Sequence, residues 1–252
     1  MTNIIKTNEQ IKIKFYLKSI NIFFFIFFNL IPYTVNADVI FELDFKNASG
    51  DVITWFEKKN WESRKDIAGM NLRFENGRLV IEPTSDKLGV LMREFEEKEY
   101  LHGATNIRIE WGVEQYPLGA NWNGPKNKTR NTREAVSFMV FFGNEKLDSG
   151  FFLAPNLPHF ISFFLGELEK PDKVYYGNYW QKGGRYLCIP CDGSKGKTFI
   201  TEVNLAKKFY ELFGKKKMPI TALGIEIDVQ KTEKMNGRHS KAFIKRIQFF
   251  YK

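Results

Sequence analysis

Histidine and cysteine are scarce in this sequence, which holds three His and two Cys among 252 residues. The histidines stand far apart, at positions 102, 159 and 239, so they cannot complete a closely spaced zinc ligand set with the two cysteines. We therefore predict neither a metal site nor a cofactor.

Two kinds of catalytic motif are also missing. No Gly-x-Ser-x-Gly element occurs, and no Ser or Cys pairs with a His in a recognisable nucleophile motif. The segment Gly193–Thr198 has the composition of a phosphate-binding loop, but it lacks the first Gly at the required spacing and leads into a predicted strand. These absences argue against acyl transfer and against a nucleotide-phosphate site.

One long apolar run occurs, at residues 20–31, after a leader that contains four Lys. Its dozen residues are too few to span a bilayer, which takes roughly twenty. Val35 and Ala37 occupy the small-residue positions that signal peptidase prefers. This pattern predicts a signal peptide over residues 1–37, cleaved after Ala37, and a periplasmic or secreted protein without a transmembrane helix. An uncleaved N-terminal anchor is the alternative.

The sequence has little charge segregation. Removal of residues 1–37 takes away four Lys and one Glu and lowers the net charge from +9 to +6. Only Lys215–Lys217 forms a basic run, and this run follows a predicted helix whose C-terminal end it complements. Nucleic acid is therefore not a predicted partner, whereas a glycan or another envelope component remains one.

The two cysteines, Cys188 and Cys191, are separated by Ile-Pro. An exported location permits a disulfide between them. Strand residues three apart point to opposite faces, so the bridge requires the chain to bend there. A local disulfide and free thiols are both open, and redox catalysis is a third alternative, although the context is that of a strand rather than a helix N-terminus.

Short apolar runs alternate with turn signals from Asp38 onward, which is typical of a β-sandwich or a β-barrel. We predict eleven strands, at residues 39–45, 70–74, 78–83, 89–95, 106–113, 135–142, 159–167, 185–190, 198–203, 222–229 and 241–250. Glu75–Gly77 predicts a tight hairpin. The expected fold is one all-β domain over residues 38–252, with antiparallel sheets packed on a single core and the last two strands adjacent.

One short helix is predicted in the C-terminal half. Asn204 is a suitable N-cap, Gly214 a suitable stop, and Leu205, Phe209 and Phe213 share one face. This apolar face should pack on the sandwich.

Two long polar insertions, residues 114–134 and 169–185, carry aromatic side chains. Long loops in compact β domains are often functional, and aromatic rings are suited to stacking on sugars. The candidate ligand-binding residues are Tyr116, Trp122, Arg133, Tyr176, Tyr179 and Trp180. The alternative is that these rings fold back as lids over the core.

Paired carboxylates are the best candidates for catalysis. Glu226 and Asp228 project from the same face of one predicted strand, with side-chain bases about 6–7 Å apart, and Glu134 could join them from a neighbouring strand. Such pairs suit glycoside hydrolysis. Alternating charges are also the ordinary condition of a solvated strand face, and this is the competing interpretation.

The C-terminal third carries a family resemblance. This part of the chain is predicted to run from a strand through a helix, a second strand and a polar loop to a final strand. The residues that carry the resemblance occur along it in this order: Leu205, Phe213, Gly214, Pro219, Gly224, Ile225, Asp228, Ile247 and Phe249. With Trp111, Val113 and the Pro-x-Gly-Ala turn at Pro117, this pattern resembles the bacterial exported family called domain of unknown function 3047. The resemblance implies an exported β-sandwich of the jelly-roll, carbohydrate-module or galactose-binding-like kind and no particular activity. The acidic, Thr-rich loop of that family is Lys-rich here.

The favoured function is therefore binding of a glycan-type ligand in the cell envelope. A glycan-acting hydrolase or lyase with paired carboxylates is the second hypothesis, and a structural or protein-interaction domain is the third. Whether the protein is an enzyme stays open, and a binding role is preferred.

Overall fold

Two β-sheets make up most of the protein. The structure is a computed structural model that describes residues 38–125, 131–232 and 240–252, so the predicted signal peptide lies outside the described residues. The six-stranded sheet contains β1 (Asp38–Asp44), β3 (Leu72–Glu75), β4 (Arg78–Ile81), β6 (Asn106–Gln115), β11 (Phe199–Asn204) and β13 (Lys241–Tyr251). The seven-stranded sheet contains β2 (Glu62–Lys65), β5 (Leu88–Glu94), β7 (Glu134–Leu147), β8 (Leu157–Phe164), β9 (Val174–Tyr175), β10 (Gly184–Cys188) and β12 (Ile220–Asp228).

The order of strands in space differs from their order in the chain. The first sheet runs β11-β6-β13-β4-β3, with β1 also paired to β13, and the second runs β2-β5-β12-β7-β8-β10-β9. Every pair of strands is antiparallel except β8 with β10, which is parallel. These sheets confirm the predicted β-sandwich and add the short strands β2 and β9.

The main core lies between the sheets and arises from strict alternation. In β6, Ile107, Ile109 and Trp111 are fully buried, and in β12 the same is true of Ile225 and Ile227. Because side chains alternate along a strand, each run places one apolar face on the common core.

The predicted hairpin at Glu75–Gly77 and the predicted helix in the C-terminal half are also confirmed. Asn76 and Gly77 between β3 and β4 have φ of 53° and 70°, the left-handed values that a type I′ turn requires. The C-terminal-half helix spans Leu205–Phe213. The Asn204 side chain accepts the Lys207 backbone N–H at 2.8 Å, and Gly214 ends the helix at φ 65°.

Two features depart from the sequence-based expectation. A short first helix, α1 (Val52–Glu57), was not predicted; its six residues are too few for a helical period to show, although Asp51 caps it by accepting the Thr54 N–H. The helix at Leu205–Phe213 is accordingly α2. The expectation that β12 and β13 are adjacent is wrong, because they belong to different sheets.

A second apolar cluster covers the outer face of the seven-stranded sheet. Met139, Phe141, Phe160 and Phe164 supply its floor, and Trp122 reaches it from the insertion that precedes β7. The insertions therefore fold back over this face and leave a cleft at one end. Within the described ranges, no helix has both the length and the apolar composition needed to cross a bilayer.

Candidate ligand-binding cleft

The floor of the cleft is formed where β7 and β12 pair. Glu226 lies opposite Ser137 and Asp228 opposite Glu134, so the register advances two residues on β12 but three on β7. The extra residue is a β-bulge, a feature that commonly re-aims a side chain. Regular alternation would send Glu134 to the face opposite Ser137. The bulge instead brings all three carboxyl groups into one cleft.

Aromatic side chains form the walls. Tyr179 and Trp180 come from the loop before β10, Tyr186 from β10 itself, and Trp122 from the insertion before β7. The cleft has a volume of about 220 Å³. Enclosed small-molecule sites usually measure about 300–1,000 Å³, so a longer ligand would place only part of its length here.

Polar contacts hold two of the carboxylates in place. Arg133 Nη1 donates to Asp228 Oδ2 at 2.8 Å, and Arg133 Nε donates to the Gln230 carbonyl at 3.1 Å. Trp122 Nε1 donates to Glu134 Oε2 at 3.1 Å. Asp228 is thus paired with the cationic Arg133, whereas Glu134 accepts from the neutral indole of Trp122.

The three carboxyl groups are unusually basic for their type. Burial raises the pKa of Glu134 well above its ordinary 4.5, and the charges of Glu226 and Asp228 raise it further. Burial, followed by the charge of Asp228, raises the pKa of Glu226 to about 7. Burial raises the pKa of Asp228 to about 6, against the opposing effect of Arg133. Strongly shifted carboxyl groups in a cleft are typical of functional sites.

Two residues of the cleft adopt backbone conformations that their side chains disfavour. Thr132 has φ of 63° and Trp180 has φ of 56°, and the left-handed region is sterically costly for β-branched and bulky residues. The Trp180 N–H donates to the Ser149 carbonyl at 2.8 Å, and its carbonyl accepts the Gly184 N–H at 2.7 Å. Such costs, about 1–3 kcal/mol each, cluster at functional sites.

The structure brings together most of the predicted site residues. Those that line the cleft are Trp122, Arg133, Glu134, Tyr179, Trp180, Glu226 and Asp228. Glu226 and Asp228 are half-buried rather than fully solvated, and Glu134 is only 3% exposed. Glu134, Glu226 and Asp228 therefore differ from the solvent-exposed charged residues of an ordinary strand face.

Three predicted ligand-binding residues are not placed as exposed rings that could stack on a sugar in the cleft. Trp122 is only 6% exposed, because Tyr186 and Phe164 cover its ring at centroid distances of 4.6 and 5.1 Å. Tyr116 is buried and does not line the cleft. Tyr176 is 45% exposed but lies against Arg185, outside the cleft. The alternative that aromatics act as lids thus describes Trp122, although its indole edge still reaches Glu134.

Sequence reasoning missed Tyr186. It lies on the outer face of β10 and its ring is buried against Trp122 and Phe160. Residues 185–190 were predicted as a strand. Because side chains alternate along a strand, Tyr186 and Leu187 point to opposite faces, and this alternation was the available signal that Tyr186 could face the cleft.

The remaining predictions concern sulfur and metal. Cys188, at the end of β10, and Cys191 form a disulfide in the structure, with Cα atoms 5.5 Å apart. Among the described residues, no group of His, Cys, Asp or Glu is placed to hold a metal ion.

Comparison with known proteins gives a likeness to carbohydrate-binding modules. No protein-family model and no curated protein matches the chain, so membership of the domain-3047 family stays a prediction. Solved structures of family 29 carbohydrate-binding modules are similar. A variant complexed with cellulohexaose is 14% identical, with a TM-score of 0.33 and coverage of 85% of this chain and 90% of that chain. A variant complexed with mannohexaose is 14% identical, with a TM-score of 0.33 and coverage of 85% and 93%. At these values the likeness assigns neither ligand nor function to this chain.

Proposed function

We propose that the protein binds a glycan chain at the cleft on the outer face of the seven-stranded sheet. The observation that supports this most is the convergence of aromatic rings and carboxyl groups in one concavity. A sugar ring has an apolar face and a rim of hydroxyl groups. Tyr179 and Trp180 offer surfaces for the face, and Asp228 and Glu226 offer acceptors for the hydroxyl groups.

The accessible wall of the cleft is held in place before any ligand arrives. Trp180 Nε1 donates to the Pro155 carbonyl at 2.7 Å, and this bond fixes the indole ring. Tyr179 is 39% exposed and stacks on Phe151 at 4.9 Å, with an angle of 18° between the rings. Preorganised side chains lose little conformational entropy on binding, which favours affinity.

The proposed ligand is polymeric and lies outside the cytoplasm. A cleft of about 220 Å³ suits part of a chain that continues over the surrounding loops. The signal peptide predicted at residues 1–37 is consistent with an envelope or extracellular glycan as the partner.

Replacement of Trp180 should weaken this binding. We expect Trp180→Ala to raise the Kd for a retained glycan about 3- to 10-fold, since an aromatic contact contributes about 0.5–1.5 kcal/mol beyond its buried area. The measurement is retention of residues 38–252 on a panel of immobilised polysaccharides, followed by titration calorimetry with the retained one.

Tyr176→Ala is the matched control, because Tyr176 is an exposed aromatic side chain of the same loop that lies outside the cleft. Its Kd should stay within about twofold of wild type. Equal losses in both variants, or no retention of the wild-type protein by any polysaccharide, would argue against the proposal.

A further inference from the structure

The three carboxyl groups of the cleft are not equivalent. Asp228 has a cationic partner in Arg133 and also accepts the Gln230 N–H at 3.1 Å. Glu134 is enclosed and has the indole of Trp122 as its donor. Glu226 lies beside both of them and accepts a hydrogen bond from Glu134. When neighbouring carboxyl groups have environments that push their pKa values apart, one can serve as an acid and another as a base.

An unpartnered hydroxyl group lies beside the cluster. Ser137 is the cross-strand partner of Glu226 on the cleft face of β7 and is 0% exposed. Its Oγ finds no hydrogen-bond partner among the residues that the structure describes. A buried polar atom without a partner costs about 1–3 kcal/mol. A water molecule beside Ser137 and Glu226 would remove this cost.

The protonation states fit acid–base chemistry at neutral pH. The pKa of Glu226, raised to about 7 chiefly by burial, allows it to carry a proton near neutrality. Asp228, with a pKa of about 6 and with Arg133 at 2.8 Å, is mostly ionised there. A catalytic acid works best when its pKa lies close to the operating pH.

We propose that the cleft hydrolyses a glycosidic bond of the glycan it binds, with Glu226 as general acid and Asp228 as general base. This inference rests on the proposed binding function. Glu226 gives its proton to the glycosidic oxygen as the bond from that oxygen to the anomeric carbon breaks. A water oxygen bonds to the anomeric carbon, and Asp228 takes the proton that the water loses. Exchange with solvent then resets both carboxyl groups.

Glu226 and Asp228 both line the cleft from one strand. They are two residues apart on one strand, which separates their side-chain bases by about 6–7 Å. Two carboxyl groups that flank a scissile bond with room for a water molecule are about 6.5–9.5 Å apart. The Arg133 ion pair and the Gln230 N–H hold Asp228 in place.

The test uses residues 38–252 and the polysaccharides that retain the wild-type protein. We expect new reducing ends, with one oxygen from isotopically labelled water in each new end. Glu226→Gln and Asp228→Asn should each lower the rate about 100-fold or more, while the Kd for the same glycan changes less than about threefold. Glu42→Gln, which alters an exposed carboxylate on β1 of the other sheet, should match wild type.

The outcomes separate the two proposals. Retention without new reducing ends overturns hydrolysis and leaves glycan binding standing, whereas absence of retention overturns both. Products that lack the water oxygen, or an undiminished rate in Glu226→Gln, also overturn the inference. Circular dichroism of each variant establishes that it is folded, and if Asp228→Asn does not fold, the rate of Glu226→Gln alone decides the inference.

Discussion

Trp122→Ala should lower the free energy of unfolding by about 3–5 kcal/mol, the usual cost of deleting a buried aromatic side chain. The Trp122 ring packs on Tyr186, Phe164 and Tyr175, so its removal leaves a cavity in the cluster that covers the seven-stranded sheet. The variant also leaves Glu134 without its indole donor. Urea denaturation followed by fluorescence or circular dichroism measures the change.

Trp180→Ala is the matched control for this prediction, since Trp180 is half-buried at the rim of the same cleft. We expect it to cost less than half as much as Trp122→Ala. A loss of less than about 1 kcal/mol for Trp122→Ala would mean that Trp122 is a dispensable surface ring and not a structural lid.

Stability should fall as the pH rises from about 5 to 8. The folded protein holds the pKa of Glu226 at about 7, above the ordinary 4.5 that applies to the unfolded chain. The folded state therefore binds more protons in this range, and the free energy of unfolding decreases with pH. Stability that Glu226 contributes is fully present below pH 4.5 and lost as the pH passes 7. Asp228 acts in the same direction through its own pKa of about 6.

Glu226→Gln removes this dependence at one position. We expect the variant to be more stable than wild type at pH 8 by on the order of 2 kcal/mol, and the two proteins to converge near pH 4. Thermal unfolding across this pH range gives both curves. Parallel curves for the two proteins would show that Glu226 is an ordinary solvated carboxylate. Glu42→Gln, on the exposed strand β1, should track wild type throughout.

The strands and helix α2 could be predicted from the sequence because their determinants are local. Alternation of Ile225 and Ile227 with Glu226 and Asp228 is visible in four consecutive letters. The caps of α2, Asn204 and Gly214, stand next to the apolar face that they delimit. The order of strands in each sheet depends on contacts between distant residues, so the pairing of β12 with β7 and not with β13 left no local signature.

The cleft could be predicted only in part. The spacing of Glu226 and Asp228 placed them on one face, and the loop composition indicated Trp180 and Tyr179. The bulge that turns Glu134 toward them depends on a mismatch between two paired strands, which neither strand shows alone. The burial of Trp122 likewise depends on Phe164 and Tyr186, which lie more than forty residues further along the chain.

The most direct test of the central claim, that this cleft binds the glycan, is a titration of the five tryptophan indole N–H signals by NMR. With a retained oligosaccharide, the signals of Trp122 and Trp180 should shift and saturate at one common Kd, since both rings line the cleft. The signals of Trp55, Trp61 and Trp111, which lie around α1 and in the main core, should stay unchanged. Shifts confined to those three tryptophans, with none at Trp180, would contradict the account.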